Sequence, residues 1–166
     1  MSKTQSTSLW IRLPDSREIE FPQQILAHFE KHQQKRKNDK EAGGQLFWEF
    51  ASAGHMRVAA VTGPRHTDIR SRTSYKANSE QEQLEIDAFY ENDCYFLGDW
   101  HTHPERIASP SPEDRKAIRE IYNSSIDPGS GFILVIVGTG PIEECISVSW
   151  CDGSPDPIPL QRLRKR

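Results

Sequence analysis

An α/β or α+β layer fold is predicted for this chain. Apolar residues switch repeatedly between strand-like alternation and helical spacing, so about three helices are interleaved with short strands. With 166 residues the chain has the length of one ordinary domain, enough to bury a core without disulfide staples. No internal repeat interrupts that reading.

The elements follow in order. Residues 8–13 and 17–21 alternate like strands around Pro14-Asp15-Ser16, which predicts an opening hairpin. Pro22 suits the first turn of a helix, and Ile25, Leu26 and Phe29 give it an apolar stripe. The basic stretch at 31–40 is expected to continue that helix into solvent, its cations placed well against the helix macrodipole. Gly43-Gly44 break the chain before strands at 45–50 and 56–62, paired through a turn near Ala53-Gly54. The polar stretch 63–79 is expected to be irregular and to border a substrate site. A helix over 80–91, a strand over 95–103, a helix over 111–122, and strands over 131–137 and 145–150 complete the body. The domain is therefore read as 1–152, with 153–166, proline-rich and then basic, as an extended and partly mobile tail.

Composition excludes several classes of function. With 21 basic and 24 acidic residues and a formal charge of -3, the chain carries no electrostatic footprint for nucleic acid or an anionic membrane. Its longest apolar run, 132–137, falls far short of the roughly 20 residues that span a bilayer, and the N-terminus lacks a signal-peptide core. A soluble, cytoplasmic protein is expected. Cys94, Cys145 and Cys151 form no C-x-x-C pair and are odd in number, so reduced, buried thiols are expected rather than disulfides or a Cys-His nucleophile.

His101 and His103, two apart on a predicted strand, project to the same face. Alone they could be two exposed strand histidines. Further on, Ser111-Pro112-Glu113-Asp114 marks a helix start, and Ser-x-x-Asp there has a plain reading as a capping box. Taken together, two imidazoles and a carboxylate make the type of donor set that holds catalytic zinc with a fourth position open. The same set also suits iron(II) in oxygenases. Glu41, just before the glycine pair, is a carboxylate of the kind a metal hydrolase needs beside its water without using it as a ligand.

Glu41 followed by His101-x-His103, seven residues, and Ser111-x-x-Asp114 resembles the JAMM metalloproteases of the MPN domain family. Glu-Ala-Gly-Gly-Gln-Leu at 41–46, Gly98-Asp99-Trp100 and His103-Pro104 are similar to that family as well. The resemblance implies a single MPN-type domain with a mixed, curved sheet. It also implies one zinc on His101, His103 and Asp114, with Glu41 as proton carrier and Ser111 as oxyanion donor. Thr62-Gly63-Pro64 with residues 68–73 is similar to the deconjugating isopeptidases of bacterial CBASS antiphage systems. Members of that group cut the bond between the C-terminus of a cGAS-like nucleotidyltransferase and a target lysine. Small relatives that trim ubiquitin-like or sulfur-carrier proteins give an alternative substrate, and non-catalytic MPN scaffolds an alternative class. Arg65, Arg70, Arg72 and Lys76 are candidates to border a groove for an extended substrate tail, against the plainer reading of a solvated loop. Trp48 and Trp100 are read as core or sheet residues.

Overall fold

The computed structural model describes residues 8–164. Strands β1 (Leu9–Arg12) and β2 (Glu18–Phe21) form the expected hairpin and lead into α1 (Gln23–Lys31). Strands β3 (Gly43–Ser52) and β4 (His55–Val61) pair antiparallel. A separate two-stranded ribbon, β5 (Ile69–Arg70) with β6 (Tyr75–Lys76), stands inside the stretch expected to be irregular. Then come α2 (Ser79–Tyr90), β7 (Tyr95–Thr102), α3 (Pro112–Ser124), β8 (Phe132–Val137), the one-turn α4 (Ile142–Cys145) and β9 (Ile146–Cys151). Last are β10 (Ile158–Pro159) and β11 (Gln161–Arg162).

Nine of these strands make one mixed sheet in the order β10-β9-β8-β7-β3-β4-β2-β1-β11. Its pairs are antiparallel except β2 with β4 and β7 with β8. The tail segment crosses from one edge to the other: β10 pairs with β9, β11 pairs with β1, and only Leu160 separates them. The sheet is therefore curved and nearly closed. Lys165 and Arg166, the end of the basic tail, lie outside the described residues.

β8 explains its own apolar run. All six residues are buried, because the strand is covered on both faces. Ile133, Val135 and Val137 join the core formed with α1, whereas Phe132, Leu134 and Ile136 pack with Ile118 of α3. Trp100 is fully buried against Phe29, and its indole N–H donates to Thr62 O at 2.9 Å, as a core tryptophan requires. All three cysteines are free and buried. Among the described residues no helix is long and apolar enough to cross a membrane.

The first helix departs from expectation. It stops at Lys31 instead of running on through residue 40, and residues 32–42 form an irregular path. Two glutamines in that path turn inward, with Gln33 5% and Gln34 2% exposed. Gln33 Nε2 donates to Gly138 O and Gly140 O, each at 2.8 Å. Gln34 Nε2 donates to Arg72 O at 2.8 Å. Satisfying those carbonyls outweighs the modest helix propensity of a Lys- and Gln-rich run. The glycine pair likewise begins β3 instead of preceding it. A Cβ on Gly44 would lie 1.9 Å from Thr62 O, so only glycine permits this strand contact.

Candidate active site

The end of β7 sets the site. Strand alternation sends Trp100 and Thr102, both fully buried, into the core and turns Asp99, His101 and His103 to the opposite face. Above that face the chain passes through a short connection and starts α3. Ser111 is the N-cap and Pro112 the first helical residue. The capping box is real: Asp114 N–H donates to Ser111 Oγ at 3.1 Å, and Ser111 N–H donates to Asp114 Oδ2 at 2.7 Å.

The same carboxylate meets both histidines. His101 Nε2 lies 2.8 Å from Asp114 Oδ1 and His103 Nε2 lies 3.1 Å from Asp114 Oδ2. Capping and ligation are therefore compatible, since the helix start aims Asp114 at the end of β7. Burial by itself would raise the Asp114 carboxyl, but hydrogen bonds from both imidazoles and from Ser111 N–H outweigh it and hold the group well below the usual carboxylate range. Burial also disfavours protonation of His103, yet its bond to Asp114 prevails and raises its pKa. One ligand atom from each of His101, His103 and Asp114 lies within 4.8 Å of the others. Two imidazole nitrogens and a carboxylate oxygen converging on one point fit a divalent cation of the zinc or iron type.

Glu41 enters from the neighbouring strand. Gly43 of β3 pairs with His101 of β7, which brings the residues just before β3 alongside the histidines. Glu41 is 6% exposed, and burial raises its carboxyl above the ordinary value while His101 and His103 pull it partly back. Glu41, His101, His103, Ser111 and Asp114 line a single cleft of about 590 Å³. All five residues singled out in the sequence thus come together there. Ser111 accepts a bond from Asp114 N–H, which leaves its own O–H proton free to donate.

The cations of 65–76 are placed differently from one another. Arg65 is nearly buried and forms an ion pair with Glu85, with Glu82 and Asp68 close by. Arg70 donates to Glu41 O and Lys40 O, and Arg72 to Arg36 O and Lys37 O. These three arginines tie the β5–β6 ribbon to its surroundings, and Lys76 lines the cleft. Sequence reasoning named Asp99 only within the family-like Gly98-Asp99-Trp100 and gave no role to it or to Glu82, both of which also line the cleft. Burial pushes the Asp99 carboxyl up to about 8 and raises Glu82. The available signal was alternation: Asp99 sits two before His101 on the same face.

Residues 22–151 match the family model described as prokaryotic homologues of the JAB domain. A Sinorhizobium fredii protein named probable metalloprotease y4qB is 31% identical over 120 residues, 69% of this chain and 72% of its own length. A CD-NTase/cGAS isopeptidase of Escherichia coli is 28% identical over 118 residues, with the same two coverages. Its namesake in Pseudomonas aeruginosa is 31% identical over 114 residues, 67% of this chain and 72% of that one. Among solved structures, protein DSY2949 of Desulfitobacterium hafniense aligns with a TM-score of 0.54 at 20% identity, covering 85% of this chain and 84% of that chain, and so shares the fold.

Proposed function

The chain belongs to the prokaryotic JAB-domain family of metalloproteases, and on that premise we propose that it is a zinc-dependent isopeptidase that releases a protein C-terminus from a target lysine. The observation that carries this reading is the convergence of His101, His103 and Asp114 with Glu41 and Ser111 in one cleft. A scaffold module would have no use for an intact donor set beside a buried glutamate. An iron oxygenase would not call on Glu41 or Ser111.

His101, His103 and Asp114 would hold the zinc, which supplies Lewis acidity toward the scissile carbonyl and a water that ionises near neutral pH. Glu41 takes the proton of the attacking water on a carboxylate oxygen. It then delivers that proton to the departing lysine nitrogen as the C–N bond breaks, since an unprotonated amine is a poor leaving group. Burial suits Glu41 to this, because a raised pKa lets it keep the proton between the two transfers. The free Ser111 O–H donates to the oxygen on which negative charge develops. On this reading residues 1–152 are the catalytic domain and 153–166 its extended C-terminal tail, of which Ile158–Pro159 and Gln161–Arg162 join the sheet.

The substrate we favour is a cGAS-like nucleotidyltransferase conjugated through its C-terminus. Support comes from relatives named CD-NTase/cGAS isopeptidase at 28–31% identity and from the stretch 62–73. A ubiquitin-like or sulfur-carrier conjugate is the alternative. The test offers zinc-loaded protein each conjugate in turn, with Glu41→Ala beside it. Wild-type protein should cut the nucleotidyltransferase conjugate, and Glu41→Ala should bind zinc normally and cut nothing. Full turnover by metallated Glu41→Ala removes Glu41 from the chemistry; cleavage of only the ubiquitin-like conjugate selects the alternative substrate.

A further inference from the structure

Glu41 belongs to no helix or strand, yet its position decides whether it can serve the site. What holds it is a set of buried polar contacts behind the cleft. Thr102, between the two histidines, is fully buried with its side chain on the opposite face. Its hydroxyl accepts from Ala42 N–H at 3.0 Å and donates to Gln34 Oε1 at 2.9 Å, and its own N–H donates to Ala42 O at 2.8 Å. Ala42 is thus bonded at both backbone groups to the residue separating the histidines. Gln34, the inward-turned glutamine after α1, reaches across to Arg72 O at 2.8 Å and to Asp39 O at 3.3 Å. On the other side, Glu41 N–H donates to Ser71 O at 2.8 Å and Glu41 O accepts from Arg70 Nε.

The four backbone groups of Glu41 and Ala42 are therefore held from two sides, by Thr102 and by Arg70-Ser71. A valine would fill the Thr102 position with the same shape but leave Ala42 N–H and Gln34 Oε1 without this partner. Burying a hydroxyl and a primary amide there is costly unless both are bonded, and here both are. We propose that Thr102 and Gln34 are positioning residues, which lock the backbone at 41–42 to β7 and so fix the Glu41 carboxylate relative to His101 and His103. This proposal rests on the isopeptidase reading above. Misplacing a catalytic group by about 1 Å can cost on the order of 100-fold in rate, so the lock acts on turnover and leaves zinc binding and substrate affinity alone.

The test compares Thr102→Val, Thr102→Ser and Gln34→Leu as folded, zinc-loaded proteins, first in the wild-type background and then with Glu41→Gln. Thr102→Val and Gln34→Leu should lower kcat about 10- to 100-fold with KM and zinc content unchanged, and Thr102→Ser, which keeps the hydroxyl, should restore it. In the Glu41→Gln background Thr102→Val should change the residual rate no further, because its effect passes through Glu41. A merely stabilising role would lower the melting temperature and leave kcat per folded molecule untouched; that result overturns the proposal. So does a kcat loss that follows zinc loss, or one that persists undiminished beside Glu41→Gln. Full activity of Glu41→Gln itself would refute the isopeptidase mechanism instead, a distinguishable outcome.

Discussion

On the proposed mechanism Ser111 has two roles, which one substitution can separate. Its hydroxyl oxygen caps α3 by accepting from Asp114 N–H, and its hydroxyl proton is free for an oxyanion. Ser111→Ala removes both, and loss of an N-cap acceptor costs about 1 kcal/mol. For a domain of this size that lowers the melting temperature by roughly 2–4 °C. Ser111→Gly costs the cap only a few tenths of a kcal/mol, since glycine is itself a tolerable N-cap, yet it equally lacks the donor. Both variants should therefore lose about 100- to 1000-fold in kcat while differing in stability. Neither should lose zinc, because Ser111 N–H, which aligns Asp114 Oδ2, is a backbone group that both keep. Thermal melts, zinc content and cleavage rates on one preparation provide the comparison. Wild-type kcat in Ser111→Gly would show the hydroxyl to be a cap alone, and zinc loss in step with activity would move its role to the orientation of Asp114.

Four other expectations follow from contacts described above. Chelation should abolish cleavage and added zinc should restore it, while the circular dichroism of the chelated protein stays folded, because His101 and His103 then pair directly with Asp114; Asp114→Ala, losing both the ligand and the capping box, should bind less zinc and also melt lower. Gly44→Ala should destabilise by about 3 kcal/mol or more in urea unfolding, since its Cβ would stand 1.9 Å from a backbone carbonyl that cannot move aside cheaply. Arg65→Met should cost about 3–5 kcal/mol in the same assay by leaving Glu85 and its neighbours without their partner, with KM unchanged in whatever folds; a raised KM at full stability would return Arg65 to the substrate groove.

Periodicity made most of the fold legible. The hairpin and α2 form where they were read, although α2 buries no residue fully and leaves Leu84 and Tyr90 exposed, and α1, α3 and the uninterrupted β8 have burial patterns that follow their spacing. The failures share a cause: side-chain hydrogen bonds that no apolar pattern announces. Residues 31–40 look like a solvated helix end until Gln33 and Gln34 meet carbonyls more than thirty residues away. The stretch at 63–79 looks irregular because the ribbon within it is held by Asp68, which accepts from Arg65 N–H, Tyr75 O–H and Asn78 N–H. The site was legible for a different reason. Its histidines and its Ser-x-x-Asp occupy adjoining segments whose spacing survives in one dimension. Glu41 lies sixty residues before His101, and only the resemblance joined it to them before β3 was seen to pair with β7.

The tail that spans both edges of the sheet has a consequence for how the chain folds. β1, among the first residues described, completes its pairing only with Gln161 and Arg162, nearly the full chain length away. Two parallel pairings, β2 with β4 and β7 with β8, add further contacts that no tight turn can make. Loop closures of that length must come before their contacts reward them, so refolding should be slow beside a helical domain of equal size. Until the tail docks, β1 and β9 each present a row of unpaired backbone groups, and misassociation between molecules is most exposed in that interval.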